Sequence, residues 1–194
     1  TCDYPAEQYL RDCRITSIYE GTNGIQAMDL LGRKLGMKKG QYFMNFLTEI
    51  QKTIGEARQV PGLEDLADRV EKAANRLGEV ALTLGKTAMS PNVMAAFSHA
   101  SPFLEIIGDV VMAWMHLWRA TAAMPQQEKL IGGLNPEARR EKIARNKNAA
   151  FYEGQIRTAQ YYIRTLLPAT LGKMTAIEEA DGAAVDIPDV SFGG

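Results

Sequence analysis

Apolar residues recur at spacings of three and four along most of the chain, the period of one face of an α-helix, and strand-like alternation with paired turn signals is missing. The pattern is clearest from Leu63 to Leu84. There Leu63, Leu66, Val70, Ala73, Leu77, Val80 and Leu84 form a seam expected to lie lengthwise on a neighbouring helix at a shallow crossing angle. Ahead of it, Ile25, Met28 and Leu31 predict a helix over 24–35 that stops at Gly36. Phe43, Phe46, Leu47, Ile50, Ile54 and Ala57 predict another that ends before Pro61-Gly62.

Beyond the Ser90-Pro91-Asn92 break, a fourth helix is expected over 93–123, with Pro102 as its point of bending and Met124-Pro125 as its close. Phe103, Ile107, Val110, Trp114, Leu117 and Thr121 make one stripe, and Leu104, Val111, Met115 and Trp118 a second. Burial on two sides marks this helix as central and assigns both tryptophans to the core. Asn135-Pro136-Glu137 supplies the N-cap and first-turn proline of a long fifth helix running towards Leu167. Pro168 is a point of kinking or interruption before a short helical piece ending near Ala180. The segment 181–194, with Gly182, Pro188, Gly193 and Gly194, reads as an extended or mobile tail. The fold class is all-α: an up-and-down bundle over 39–180, preceded by residues 1–38. Within these, residues 1–23 lose helical patterning after Tyr9-Leu10 and read as an arm that packs on another surface.

Charge narrows the partners. The 194 residues hold 22 Lys and Arg against 23 Asp and Glu, which argues against a nucleic-acid or anionic-membrane surface. Two local biases survive. Arg139, Arg140, Lys142, Arg145 and Lys147 crowd 137–147, and Glu178, Glu179, Asp181, Asp186 and Asp189 crowd the tail; both read as solvated faces, weakly pairing at most. The only cysteines, Cys2 and Cys13, match no zinc or Cys-x-x-Cys spacing, so a reducing, cytoplasmic setting is expected. Glu105, Asp109, His116 and Arg119 interrupt the most apolar stretch, 103–124, and exclude a bilayer span there.

Chemistry concentrates in Arg11-Asp12-Cys13-Arg14-Ile15-Thr16-Ser17-Ile18-Tyr19-Glu20-Gly21-Thr22-Asn23-Gly24-Ile25-Gln26. Asn23 reads as an N-cap with Gln26 completing a capping box, so that the helix starts near Gly24 and Glu20 sits just outside it. Gly21, without a Cβ, lets a planar ligand or thioester approach the backbone, and the N–H groups of the first helical turn face the same space. Glu105, Asp109 and His116 lie near one helical face, yet their spacing is wrong for the Glu-x-x-His pairs of di-iron bundles. His99 and His116 read as a loop-proximal polar residue and a helix-face histidine. No glycine-rich phosphate loop follows a strand, and no nucleophile triad is apparent.

Residues 1–35, with Tyr4-Pro5-Ala6-Glu7-Gln8-Tyr9-Leu10 leading into the Tyr-Glu-Gly-Thr turn, resemble the active-site segment of the acyl-CoA dehydrogenases. The rest resembles the extra helical domain of a longer bacterial branch that includes 3-methylmercaptopropionyl-CoA dehydrogenases. That likeness rests on residues 103–111, on Phe151-Tyr152 and on 158–162. The resemblance implies that Glu20 removes the α-proton of an acyl-CoA thioester while hydride passes to FAD, with the carboxylate made a stronger base by burial beneath flavin and acyl chain. It implies that the Glu20 N–H, with a flavin hydroxyl, holds the thioester oxygen. It also sets Gly21 beside substrate and Thr22, Asn23 and Gly24 beside FAD, and implies an electron-transfer flavoprotein as acceptor and a homo-oligomer. Most of the FAD and CoA sites are expected outside these residues, so the isolated chain is expected to bind no FAD. The alternative is a catalytically silent helical interaction or oligomerisation module.

Overall fold

The seam from Leu63 to Leu84 is the best-buried stripe of the molecule: Leu63, Leu66, Val70, Ala73, Leu77 and Val80 are wholly inaccessible and Leu84 nearly so. The computed structural model describes residues 4–179 and 182–193. Cys2, Ala180, Asp181 and Gly194 of the expectations above lie outside the described residues.

The long helices are α1 (Ala6–Arg14), α2 (Asn23–Asp29), α3 (Gln41–Ala57), α4 (Glu64–Ala88), α5 (Val93–Ser98), α6 (Ala100–Ile131), α7 (Pro136–Arg145), α8 (Lys147–Tyr161), α9 (Leu167–Glu178) and the single turn α10 (Ala183–Asp186). Two π-helical turns, Leu30–Lys34 and Tyr162–Leu166, carry α2 onward and join α8 to α9. Among the described residues there is no strand, and no helix is long and apolar enough to cross a membrane.

Pairs across the helices fix their directions. Gln51 meets Asn75 (3.2 Å) and Arg58 meets Asp68 and Glu71 (both 2.7 Å), so numbering rises on α3 as it falls on α4. Lys173 meets Glu105 (3.5 Å) and Asp109 (3.1 Å), and Gln127 meets Glu153, so α6 runs against α8–α9. Asp65 pairs with Arg164 and Arg76 with Glu178, so α4 and α9 run together. These directions define an up-down-up-down bundle of α3, α4, α6 and α8–α9. Helix α6 touches α2, α3, α4, α8 and α9. It is the central helix that its two stripes predicted.

Several boundaries differ from the sequence expectation. Residues 93–123 are not one helix: the chain breaks at Ser98-His99, and Pro102 falls in the first turn of α6, where its missing N–H costs nothing. Nor does Met124-Pro125 close α6, which runs through Pro125 because Gln127 and Ile131 beyond it are buried. The fifth helix starts as expected, with Asn135 capping the Ala138 N–H and Pro136 at its first position. It is cut, however, at Asn146, whose side chain caps the Asn148 and Ala149 N–H groups. Trp118 is mostly exposed, whereas Trp114 packs on the core, edge-on to Phe46, and donates from Nε1 to Thr53 Oγ1 at 2.8 Å. In the tail, α10 and a 3-10 turn (Asp189–Phe192) replace part of the expected extended chain.

Candidate active site

Among the described residues, the arm is held by short-range side-chain bonds. Glu7 pairs with Arg11, Gln8 donates to Asp12 (2.8 Å), and Thr16 and Ser17 donate to the Cys13 and Arg14 carbonyls (2.6 and 2.9 Å). Helix α1 persists to Arg14, further than the patterning predicted, yet neither it nor the 3-10 turn Ile15–Ser17 buries any residue. Tyr4, Tyr9, Leu10 and Ile18 are each more than half exposed, a concentration of apolar surface of the kind that marks an interaction face.

Glu20 follows on a solvent-facing turn. Gly21 has φ +103°, left-handed backbone that a side chain resists. A Cβ there would also come within 3.2 Å of Ile25 Cγ2, so both backbone and space select glycine. The helix start is one residue earlier than the capping-box reading: Thr22, not Asn23, is the N-cap, its Oγ1 accepting from the Ile25 N–H at 3.5 Å. Gln26 does not reach Asn23 either. Its Nε2 donates to the Glu20 carbonyl oxygen at 2.6 Å, pinning the turn to the helix. Among the described residues, the backbone N–H of Glu20 donates to no protein acceptor. The result is an exposed carboxylate, a free adjacent N–H and a Cβ-less position, followed by the exposed residues Thr22, Asn23 and Gly24.

Helix α2 anchors this turn by a face other than the expected one. Ala27 and Leu31 enter the common core, whereas Ile25 and Met28 are exposed. At its end Asp29 accepts from Arg33 Nε and Nη2 (2.6 and 2.8 Å). That guanidinium, helped by Lys34, holds the Asp29 carboxyl below the usual carboxylate range.

The polar side chains on one face of α6 make structural pairs. Asp109 accepts from Thr170 Oγ1 (2.9 Å) and Lys173 (3.1 Å), and its backbone oxygen accepts from Tyr162 Oη (3.3 Å). His116 is buried against the Tyr162 ring, centroids 4.9 Å apart, with Nδ1 lacking a partner among the described residues; burial, then the Arg119 charge, push its pKa down. Among the described residues no group of three His, Cys, Asp or Glu could hold a metal ion. Sequence reasoning missed the Gln26 clamp and the buried state of His116. The first had a local signal, an amide within one helical turn of the motif; the second depends on Tyr162, distant in the chain.

The described residues form an all-α bundle whose leading turn presents one carboxylate beside a glycine. Residues 46–188 match the family described as "Acetyl-CoA dehydrogenase C-terminal like", and the chain belongs to that family. It is similar to a butyryl-CoA dehydrogenase of Syntrophomonas wolfei, 28% identical over 191 residues, which are 98% of this chain and 29% of the relative. It is similar also to a broad-specificity linear acyl-CoA dehydrogenase of Mycobacterium tuberculosis (26% identity, 98% of this chain, 30% of the relative). A 3-methylmercaptopropionyl-CoA dehydrogenase of Ruegeria pomeroyi shares 30% identity over 82% of this chain and 24% of its own length. The chain thus spans less than a third of the length of these relatives.

Proposed function

We propose that this chain is the C-terminal part of a flavin-dependent acyl-CoA dehydrogenase that introduces an α,β double bond into an acyl-CoA thioester, with Glu20 as the base. The observation that carries the reading is the Glu20-Gly21 turn, where a carboxylate and an unbonded N–H stand beside a backbone that admits no side chain. The relatives, acyl-CoA dehydrogenases by name, align with nearly the whole chain, including this turn.

In this reading a Glu20 carboxylate oxygen takes the α-proton, and the bonding pair left behind becomes the π bond as the β-carbon loses hydride. The Glu20 N–H donates to the thioester oxygen, where negative charge grows as the proton leaves. Gly21 leaves room for the thioester plane, and Gln26, by holding the Glu20 carbonyl, sets the direction of the peptide that carries both groups. FAD, when bound against Thr22, Asn23 and Gly24, supplies the hydride acceptor. These three residues are exposed and can take part in a larger site, while the remaining contacts belong to a region that this chain does not span. Such a cover over Glu20 would remove water and raise its basicity. Onward electron transfer to an electron-transfer flavoprotein belongs to the same proposal.

The test is Glu20→Gln in the polypeptide that carries the flavin-binding region. Flavin remains bound, and its bleaching by acyl-CoA slows by about a hundredfold to ten-thousandfold. A variant keeping half its rate of flavin reduction overturns the assignment. The second reading, a silent interaction module, is favoured by the solvent-facing position of Glu20 in this chain. Saturable flavin binding with substrate-dependent bleaching by the 194-residue chain alone would refute it.

A further inference from the structure

The basic segment 137–147 and the acidic tail take no part in the proposed chemistry, and each is coupled to unpartnered apolar surface. A cleft of about 860 Å³ opens between the 58–63 loop, the second half of α6, α7 and α8. Its apolar floor is Val60, Pro61, Met124, Pro125 and Ile156. Gly62, at φ +91°, turns the loop so tightly that a Cβ there would lie 3.1 Å from Met124 Cε. On the wall, Glu153 is occupied by Arg157 (2.6 Å) and by the buried Gln127 and also lies in the field of Arg139; Glu128 lines the cleft beside Lys129, and Lys129 and Arg139 hold no salt bridge among the described residues. Helix α7, which carries Arg139, buries nothing.

The tail is the complement. Val190 and Phe192 are 81% and 72% exposed, Ile187 is also exposed, and Asp186 and Asp189 lie among them. It cannot reach the cleft of its own chain. Helix α10 packs on α5, just before the start of α6, and Met124 lies about 36 Å further along α6 at the α-helical rise. Residues 186–192 span at most about 21 Å even when fully extended.

We propose that the tail of one copy docks in this cleft of a second copy, and reciprocally, in an antiparallel dimer. Laying two bundles side by side in opposite directions sets each tail at the level of the partner's cleft along the bundle axis, and one two-fold axis relates both sites. Phe192 and Val190 cover the apolar floor, while Asp186 and Asp189 face Lys129 and Arg139. The inference is independent of the proposed catalysis.

The test is sedimentation equilibrium and light scattering on the 194-residue chain under reducing conditions. A dimer is expected, loosened as salt screens the charged contacts. Arg139→Glu and Phe192→Asp, both at exposed positions, each weaken it at least tenfold without changing the helical circular dichroism. The combination Arg139→Glu with Asp189→Arg recovers most of the loss, because the reversed charges meet again across the two copies. Excess peptide of residues 183–193 dissociates the dimer. A chain that stays monomeric up to about 0.5 mM, or a dimer indifferent to both single substitutions and to the peptide, overturns the proposal.

Discussion

At the scale of single residues, the geometry of the Glu20-Gly21 turn was legible because it is local. Glu20, Gly21 and the capping residues interact within one helical turn, and the sequence contains all of them. The error of one position at the cap has a simple cause: Thr22 and Asn23 are both good caps, and the choice between them falls to the Gly21 backbone, whose φ places Thr22 rather than Asn23 over the free N–H groups. His116 was not legible, since its burial is made by Tyr162 across the bundle. It carries a pH prediction. Histidine titrates near 6.5 when unfolded, and burial lowers that value in the fold, so as pH falls the unfolded chain takes up the proton first. Its contribution is complete above about pH 6.5 and is lost as pH falls from there towards the depressed folded value. His116→Phe, which keeps the ring stack without a titrating nitrogen, should lose less stability than wild type between about pH 7.5 and 5. Urea unfolding at the two pH values decides; equal losses would remove His116 as the source.

At the scale of elements, periodicity succeeded where one face stays buried for the whole length of a helix. The Leu63 to Leu84 seam is the clearest case, and Leu77, at 0% exposure, is its centre. Leu77→Asp places a charge where no partner or water is available and should cost several kcal/mol, among the larger single-site penalties; an unchanged melting temperature would mean that the seam is not the core. Periodicity failed where termination depends on what packs beyond the break. Pro125 reads as a stop, yet α6 gives up one backbone bond there and continues because Gln127 and Ile131 find buried sites. Asn146, an ordinary helix-surface residue by composition, interrupts a run that its neighbours would continue, since its side chain caps α8 in a new direction. The face of α2 was misassigned for a related reason. Ala27 is small enough to let α2 lie close to α6, so burial follows the alanine and Leu31 rather than the larger Ile25 and Met28.

At the scale of the molecule, the all-α class and the alternating bundle were legible from loop lengths and stripes, whereas the cleft was not, because four separate segments of chain line it. The arm lies outside the buried core. The cluster of buried residues begins at Ala27, so removing residues 1–22 should leave the melting temperature of the remainder within a few degrees of the full chain while relieving exposed apolar surface. A scan of the shortened chain checks this, and a large drop would show the arm to be part of the fold. The directions of the helices have a consequence for how such a unit passes between proteins. Four traverses are an even number, so the chain leaves the bundle at the end where it entered. Helices α3 to α9 therefore begin and finish towards one end of the bundle, the arrangement that lets a folded unit be inserted into a longer polypeptide without reversing the path of the chain on either side.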